Sequence, residues 1–311
     1  MRNLYLFSLA LLLACQPTIE ESPVDDAFDT PYLWVVGTAQ DAGYPQAGCT
    51  KDCCAAYWRG ERPHEAVTSV AVVLPTQSAA WLFDATPDFT EQYTQVTRSG
   101  ATLRGIFPTH AHIGHYTGLM YLGKEAMHTA AMPVYAMPGM DTFLRRHAPW
   151  RQLVDVQNIV LHPLRDGRAE VLDPQLRVTP FRVPHRDEWS ETVGFRIDGP
   201  ERSAIYLPDI DKWERWAIAI DSLVATVDYA LLDATFYDGN ELPGRDMASI
   251  PHPFVVESMA RLAVLPDSVR QRIYFTHFNH TNPLLAAESE ASQAVEAAGF
   301  RIARTGLRLP L

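Results

Sequence analysis

The run GIFPTHAHIGHYTGL at 105–119 constrains this chain more than any other. It sets His110, His112 and His115 within six positions, directly after an apolar stretch that reads as a strand. Alternate residues of a strand point to one side, so His110 and His112 share a face, and a turn at Ile113 and Gly114 brings His115 round to a neighbouring point. Neutral imidazole is the commonest metal ligand, and two or three such nitrogens leave an open position for water on zinc or iron. With 11 His in 311 residues, composition alone rarely produces such a cluster, and solvated loop histidines are the weaker reading of it.

The same form recurs along the chain. His185 follows the apolar run FRVP, Asp209 follows AIYLP, and His277 follows IYFT. Singly, each is an ordinary surface or core residue; together with His110 they make four apolar strands that each end in a ligand-type side chain. One edge of the sheets therefore collects metal-binding groups. Strand patterns at 33–39, 67–74, 81–84, 105–108, 176–183, 192–197, 204–207, 229–232 and 273–276 alternate with helical patterns at 87–98, 117–127, 140–147, 254–264 and 285–298. Strands in both halves with helices between them suit two packed sheets with helices outside. No linker or low-complexity break divides 31–311, which reads as one domain.

A third cluster, Cys49, Cys53 and Cys54, sets three thiols within six residues. A disulfide and a metal site both fit that spacing, although a vicinal Cys53–Cys54 bridge is strained and leaves one thiol over.

Upstream, residues 1–14 (MRNLYLFSLALLLA) carry one basic residue and then an almost unbroken apolar run, too short to span a bilayer and proportioned like a secretory signal. The end of that run, Leu-Leu-Ala-Cys at 12–15, resembles the lipobox of bacterial lipoproteins. That resemblance implies an exported protein lipid-anchored at Cys15 to a bacterial membrane, on the periplasmic face or the cell surface. Residues 15–30 then read as a flexible acidic tether, with five carboxylates and no cation after Cys15. The net charge of −11 argues against nucleic-acid backbone binding.

From about residue 31 to the C-terminus the chain resembles the metallo-β-lactamase fold superfamily, through THAHIGH at 109–115, His185, Asp209 and His277 in that family's order. It looks most like the branch containing coenzyme PQQ synthesis protein B and the phosphonate-pathway cyclic phosphodiesterases, by VGTAQDAGYPQAGC at 36–49, LLDATFYDGNEL at 231–242, IPHP at 250–253 and THFNHTNP at 276–283. The resemblance implies an αββα sandwich. It makes His110, His112 and His185 ligands of one metal and His115 and His277 ligands of a second, with Asp209 bridging them. Asp84, in LFDAT, corresponds to an acidic position beside the metals, while capping of the helix at 87–98 is an equal alternative for it. In the phosphodiesterases a Cys-rich loop and a histidine hold structural zinc, which here implies Cys49, Cys53, Cys54 and His280.

The family pattern is H-x-H-x-D-H, and Gly114 stands in the place of its aspartate. That departure implies a second site short of one ligand, for which Asp187, Asp211 and His252 in nearby loops are candidates to compensate; His252 is counted with the catalytic residues. Of the seven tryptophans, Trp189, in the loop after His185, is the one expected to meet substrate. The expected function is metal-dependent hydrolysis of a small-molecule phosphoester or related ester. Zinc is the expected metal, one or two catalytic ions and one structural, with iron or manganese as alternatives. The competing expectations are oxidative chemistry like that of PQQ synthesis protein B and a catalytically degenerate metal-binding lipoprotein.

Overall fold

The computed structural model describes residues 28–311; the signal and Cys15 lie outside the described residues. The first half of the chain runs β1 (Tyr32–Gly37), α1 (Asp52–Trp58), β2 (Ser69–Leu74), β3 (Ala79–Phe83), α2 (Phe89–Arg98), β4 (Thr102–Phe107), α3 (Ile113–Tyr116), β5 (Met132–Ala136), α4 (Pro138–Arg146), α5 (Trp150–Asp155) and β6 (Ile159–Pro163). The second runs β7 (Glu170–Asp173), β8 (Leu176–Val183), β9 (Thr192–Asp198), β10 (Ser203–Leu207), α6 (Ile220–Val224), β11 (Tyr229–Asp233), α7 (Val255–Leu262), α8 (Asp267–Arg270), β12 (Ile273–Thr276), α9 (Glu290–Ala297), β13 (Arg301–Ile302) and β14 (Arg308–Pro310). Two seven-stranded sheets result, ordered β14-β1-β2-β3-β4-β5-β6 and β13-β12-β11-β10-β9-β8-β7. The last strand thus returns to the first sheet and locks the two halves together.

Every residue of β1 is buried, which explains why LWVV reads as an unbroken apolar run. Period-two geometry sends Leu33 and Val35 into the layer between the sheets, and Tyr32, Trp34 and Val36 into the layer under the helices. The outer layer of the first sheet is covered by Phe89 and Val96 of α2, Phe143 and Leu144 of α4, and Leu153 of α5. That of the second is covered by Ile220 of α6, Val255 and Leu262 of α7, and Val295 of α9. Between the sheets, Phe107 stacks on Phe83 (ring centroids 5.0 Å apart) and on Tyr135 (4.3 Å), and Phe195 meets Phe83 edge-on at 5.2 Å. Each fully buried phenylalanine contributes about 1.5–3 kcal/mol, so the sheets are firmly clamped just beneath the loops that follow β3 and β4.

The αββα sandwich is the expected architecture. One expected helix, 117–127, is instead the short α3 followed by a 3-10 turn at Thr117–Leu122. Gly118 explains the tight geometry, since a Cβ there would stand 2.2 Å from the Thr86 carbonyl oxygen.

Candidate metal centre

Strand direction builds the centre. In the first sheet β1 and β3 lie antiparallel to β2, and β4 lies parallel to β3. In the second, β8 and β10 both lie antiparallel to β9, and β11 and β12 continue parallel to β10. The residues that follow β1, β3 and β4, and those that follow β8, β10, β11 and β12, therefore leave their sheets at a common end. The two sheets are stitched together there: Gln40 N donates to Phe278 O and Phe278 N to Thr38 O, both at 2.8 Å. That end presents Asp41, Asp84, His110, His112, His115 in α3, His185, Asp209, Asp233 at the end of β11, and His277. Asp84 and His277 hold positive φ, 71° and 67°, a backbone cost that non-glycine residues carry mainly at functional sites.

Outer hydrogen bonds orient the imidazoles. Thr109 Oγ1 donates to Asp84 Oδ1 (2.9 Å) and so accepts from His110 Nδ1 (2.9 Å). His115 Nδ1 donates to Asp84 Oδ2 at 2.8 Å. Thr235 Oγ1 donates to Asp233 Oδ1 (2.7 Å) and accepts from His277 Nδ1 (2.8 Å). In all three rings Nε2 is left facing inward. His112 is turned the other way, Nε2 donating to Glu188 at 3.1 Å and Nδ1 facing in. Fixing one ring nitrogen so that the other presents a lone pair is how proteins prepare imidazole for a metal. Asp84, which also accepts from the Thr109 backbone at 2.7 Å, is thus spent on supporting the centre, and no cap bond from it reaches α2.

The inward atoms form two adjoining sets. His110, His112 and His185 make one, and Asp41, His115, Asp209 and His277 the other, with the ligand atoms of each set within 4.8 Å of one another. Asp209 lies between them, 3.6 Å from His110 Nε2, 3.7 Å from His185 Nε2, 2.9 Å from His115 Nε2 and 3.3 Å from His277 Nε2. Asp209 Oδ2 and His277 Nε2 are buried without hydrogen-bond partners, at a cost of about 1–3 kcal/mol each that ligation removes. Burial presses His110 well below its ordinary pKa, with the His115 charge adding to the effect, and takes His185 down to about 4; both stay neutral and available as ligands. Burial also works against a proton on His115, but Asp84 and then Asp209 and Asp41 outweigh it and hold that proton well above the usual range. Asp209 and Asp41 resist burial through the surrounding histidines and stay ionised. Imidazole nitrogens and fixed carboxylates are the donor set a divalent cation requires, with the His115 proton displaced on binding, and this is a metal-binding centre.

Of the three residues expected to compensate for Gly114, Asp187 and Asp211 stand elsewhere. Asp187 accepts from Thr192 Oγ1 at 3.1 Å, and Asp211 pairs with Arg215 at 2.6 Å. His252 does approach, 3.5 Å from Asp209, but its Nδ1 is held by Asp233 at 2.8 Å. Burial would lower its pKa, yet Asp233 raises it. The carboxylate that reaches the second set is Asp41, which sequence reading left out, as it did Asp233. The signal for both was the form used for the other ligands, an apolar strand with an acid at or just after its end.

Cys49, Cys53, Cys54 and His280 also converge within 4.8 Å. Their thiols are free, with the Cys49 and Cys53 sulfurs 3.7 Å apart. Two thiolates at ~2.3 Å from a tetrahedral zinc lie about 3.8 Å apart, whereas a disulfide needs ~2.05 Å. His280 Nδ1 faces Asn279 Oδ1 at 3.1 Å, which frees Nε2 for the thiols. Burial pushes the Cys54 thiol up to about 12, a cost that a bound cation reverses.

Beside His252 opens a cleft of about 690 Å³, lined among others by Lys51, Arg186, Arg245 and Thr235. No Asp or Glu lines it among the described residues, in a chain with 37 of them. Trp189 stands exposed against Phe143 and His147 and is not part of this cleft. No helix among the described residues is long and apolar enough to cross a membrane.

Comparison with known proteins places these features. The sequence model described as "Beta-lactamase superfamily domain" matches residues 80–278. The chain is 26% identical to coenzyme PQQ synthesis protein B of Nitrosococcus oceani over 316 aligned positions, covering 90% of this chain and 99% of that one. Among solved structures it is similar to zinc-bound PqqB from Methylobacterium extorquens, with a TM-score of 0.75, 22% identity, and 90% and 100% of the two chains covered. It is also similar to a diphosphatase from the PhnP family, with a TM-score of 0.64, 23% identity, and 90% and 97% covered. At these identities the two structural likenesses show the fold.

Proposed function

This chain belongs to the beta-lactamase superfamily, and from that premise we propose that it is a metal-dependent hydrolase that directs water at an anionic ester, a small phosphoester before others. The observation that carries the reading is the inward set of imidazole nitrogens, with His110, His112, His115 and His277 each fixed from outside by a hydroxyl or carboxylate. Divalent cations held there, zinc being well matched to imidazole and carboxylate with iron or manganese also compatible, supply a water activated near neutral pH and stabilise charge on the attacked centre. His110, His112 and His185 hold one cation, His115 and His277 the other, and Asp209 faces both.

The remaining roles fall to residues around the cleft. Asp233 fixes His252 through Nδ1, so the free nitrogen of this cleft-lining ring is Nε2. That nitrogen is placed to donate a proton to a leaving oxygen. Lys51, Arg186 and Arg245 attract and orient a negative group bound beyond the reacting bond. Cys49, Cys53, Cys54 and His280 bind structural zinc and so shape the wall of the cleft to which Cys49 and His280 belong. Turnover of bis(p-nitrophenyl) phosphate by the zinc-loaded protein, lost on chelation and restored by zinc, is the expected result. Binding of metal with no turnover of any phosphoester or carboxylic ester would instead mark a binding protein.

A second reading is favoured by the near full-length match to coenzyme PQQ synthesis protein B. On it, the same histidines and Asp209 hold iron for oxidative chemistry on a small molecule or peptide. Oxygen consumption by the iron-loaded protein distinguishes it. We also propose that Cys15 carries lipid and alone tethers the protein to a bacterial membrane. Cys15→Ser should release it to the periplasmic fraction; a variant that loses its lipid label and stays with the membrane contradicts this.

A further inference from the structure

We propose that Asp41, arriving from the loop after β1, supplies the second cation with the carboxylate that the motif lacks at Gly114, and that Gly114 is glycine because Asp41 occupies its side-chain space. The proposal rests on the metal-site reading above and adds a ligand to it.

Position comes first. Asp41 Oδ1 lies 3.1 Å from His115 Nε2 and 3.9 Å from His277 Nε2. The same two nitrogens lie 2.9 and 3.3 Å from Asp209 Oδ2. Ligands at ~2.1 Å from one tetrahedral zinc are separated by about 3.4 Å, and these four distances scatter around that value. The hydrogen bonds and ion pairs of the Asp41 carboxylate all go to His115 and His277, so it is committed to no capping or turn role that would account for its place.

Space comes second. A Cβ on Gly114 would stand 2.5 Å from Asp41 Cα, 2.7 Å from its Oδ1 and 2.9 Å from its carbonyl oxygen. Two of those three atoms are backbone, so the conflict is not relieved by turning a side chain. Gly114 is also absent from the residues with positive φ, and the reason for glycine is therefore the neighbour rather than the turn. The backbone of residue 41 leaves no room for a side chain at position 114, and the carboxylate beside His115 Nε2 is that of Asp41.

Loop anchoring comes third. The 38–40 segment is hydrogen-bonded to Phe278, the residue next to His277, so Asp41 is held in register with a ligand and not left on a free loop.

The test is zinc stoichiometry and affinity of the full chain, measured by competition with a chromophoric chelator and by elemental analysis, with no reference to turnover. Wild type should bind two zinc ions at the imidazole centre besides the thiol-bound one. Asp41→Asn, close to isosteric, and Asp41→Ala should each keep the first and bind the second more than about tenfold more weakly, since loss of even an outer partner costs 10–100-fold. Gly114→Ala and Gly114→Asp should each lose thermal stability, and adding Asp41→Gly should not restore it, because the Cα and carbonyl oxygen of residue 41 stay in the way. Two ions at wild-type affinity in both Asp41 variants overturn the proposal, as does a wild type that binds one ion at the imidazole centre. A Gly114→Ala chain as stable as wild type overturns the account of Gly114. An inactive protein that shows the predicted stoichiometries would leave Asp41 a ligand and defeat only the hydrolase reading.

Discussion

The two halves of the metal centre are built differently. The first draws His110 and His112 from one short loop and adds His185; the second draws one ligand from each of four segments in both sheets, Asp41 after β1, His115 in α3, Asp209 after β10 and His277 after β12. A contiguous motif fixes its ligands by local geometry, so its pattern survives in the sequence. A site assembled from several strand ends needs only that a carboxylate arrive at the right point, and the chain can deliver it from position 41 as well as from 114. An incomplete motif is therefore a poor measure of an incomplete site.

Removing ligands is the strongest way to break this comparison. If Asp41 completes the second half, His110→Ala, His185→Ala, His115→Ala and His277→Ala should all reduce phosphodiester turnover, each by about 10³-fold, the scale of the several kcal/mol that a catalytic cation supplies. Losses confined to the first pair, with His115 and His277 variants near wild type, would mean that the second half is idle. Steady-state kinetics in one buffer decides between these patterns.

Proton linkage sharpens the comparison next. His115 is the member of the second half whose folded pKa is raised, by Asp84, Asp209 and Asp41 against the effect of burial. Its stabilising contribution to the metal-free protein is fully present below the unfolded value of ~6.5 and is lost as pH rises through the folded value. A cation must displace that proton, so the affinity of the second half for zinc should rise as pH is raised above ~6.5. The first half, whose His110 and His185 are already neutral, should show little change in the same window. Calorimetric titration in buffers of different ionisation enthalpy should count about one proton released for the second ion.

The thiol site is a third region, expected to be silent in catalysis and essential for stability. Cys54→Ala should remove about one equivalent of zinc and lower Tm by more than about 4 °C, the shift for 1–2 kcal/mol in a domain of this size. Rapid labelling of all three thiols in the zinc-replete protein would contradict it. The smallest effect should come from the cleft: Arg245→Ala and Lys51→Ala should raise KM for an anionic ester about three- to tenfold with kcat nearly unchanged. Added salt should shrink that difference.

How much of this was legible follows from the same contrast. Strands β1–β4 and β8–β12, helices α2, α4, α7 and α9 and the motif histidines could be read, because strands such as β1 and β11 are buried on both faces; β5–β7, β13 and β14 could not. Asp41 and Asp233 could not, because an acid near a strand end is ordinary; Asp41 is separated from β1 by Thr38, Ala39 and Gln40, and Asp233 closes the apolar run of β11. The helical pattern at 140–147 is α4, but the stretch after it, for which no element was expected, holds α5 and β6; α5 is short and follows Pro149, which leaves too little periodicity to reveal it. Gly114 misled for a related reason. Glycine records a close approach without naming the residue that makes it, and only the fold shows that the neighbour is Asp41.

The most direct measurement is a zinc-edge anomalous difference map from crystals of the zinc-loaded protein. The account predicts two peaks at the imidazole centre ~3.5–4 Å apart, Asp209 between them, with His110, His112 and His185 on one and Asp41, His115 and His277 on the other. A single peak on His110, His112 and His185, with Asp41 hydrogen-bonded to a metal-free His115, would contradict it.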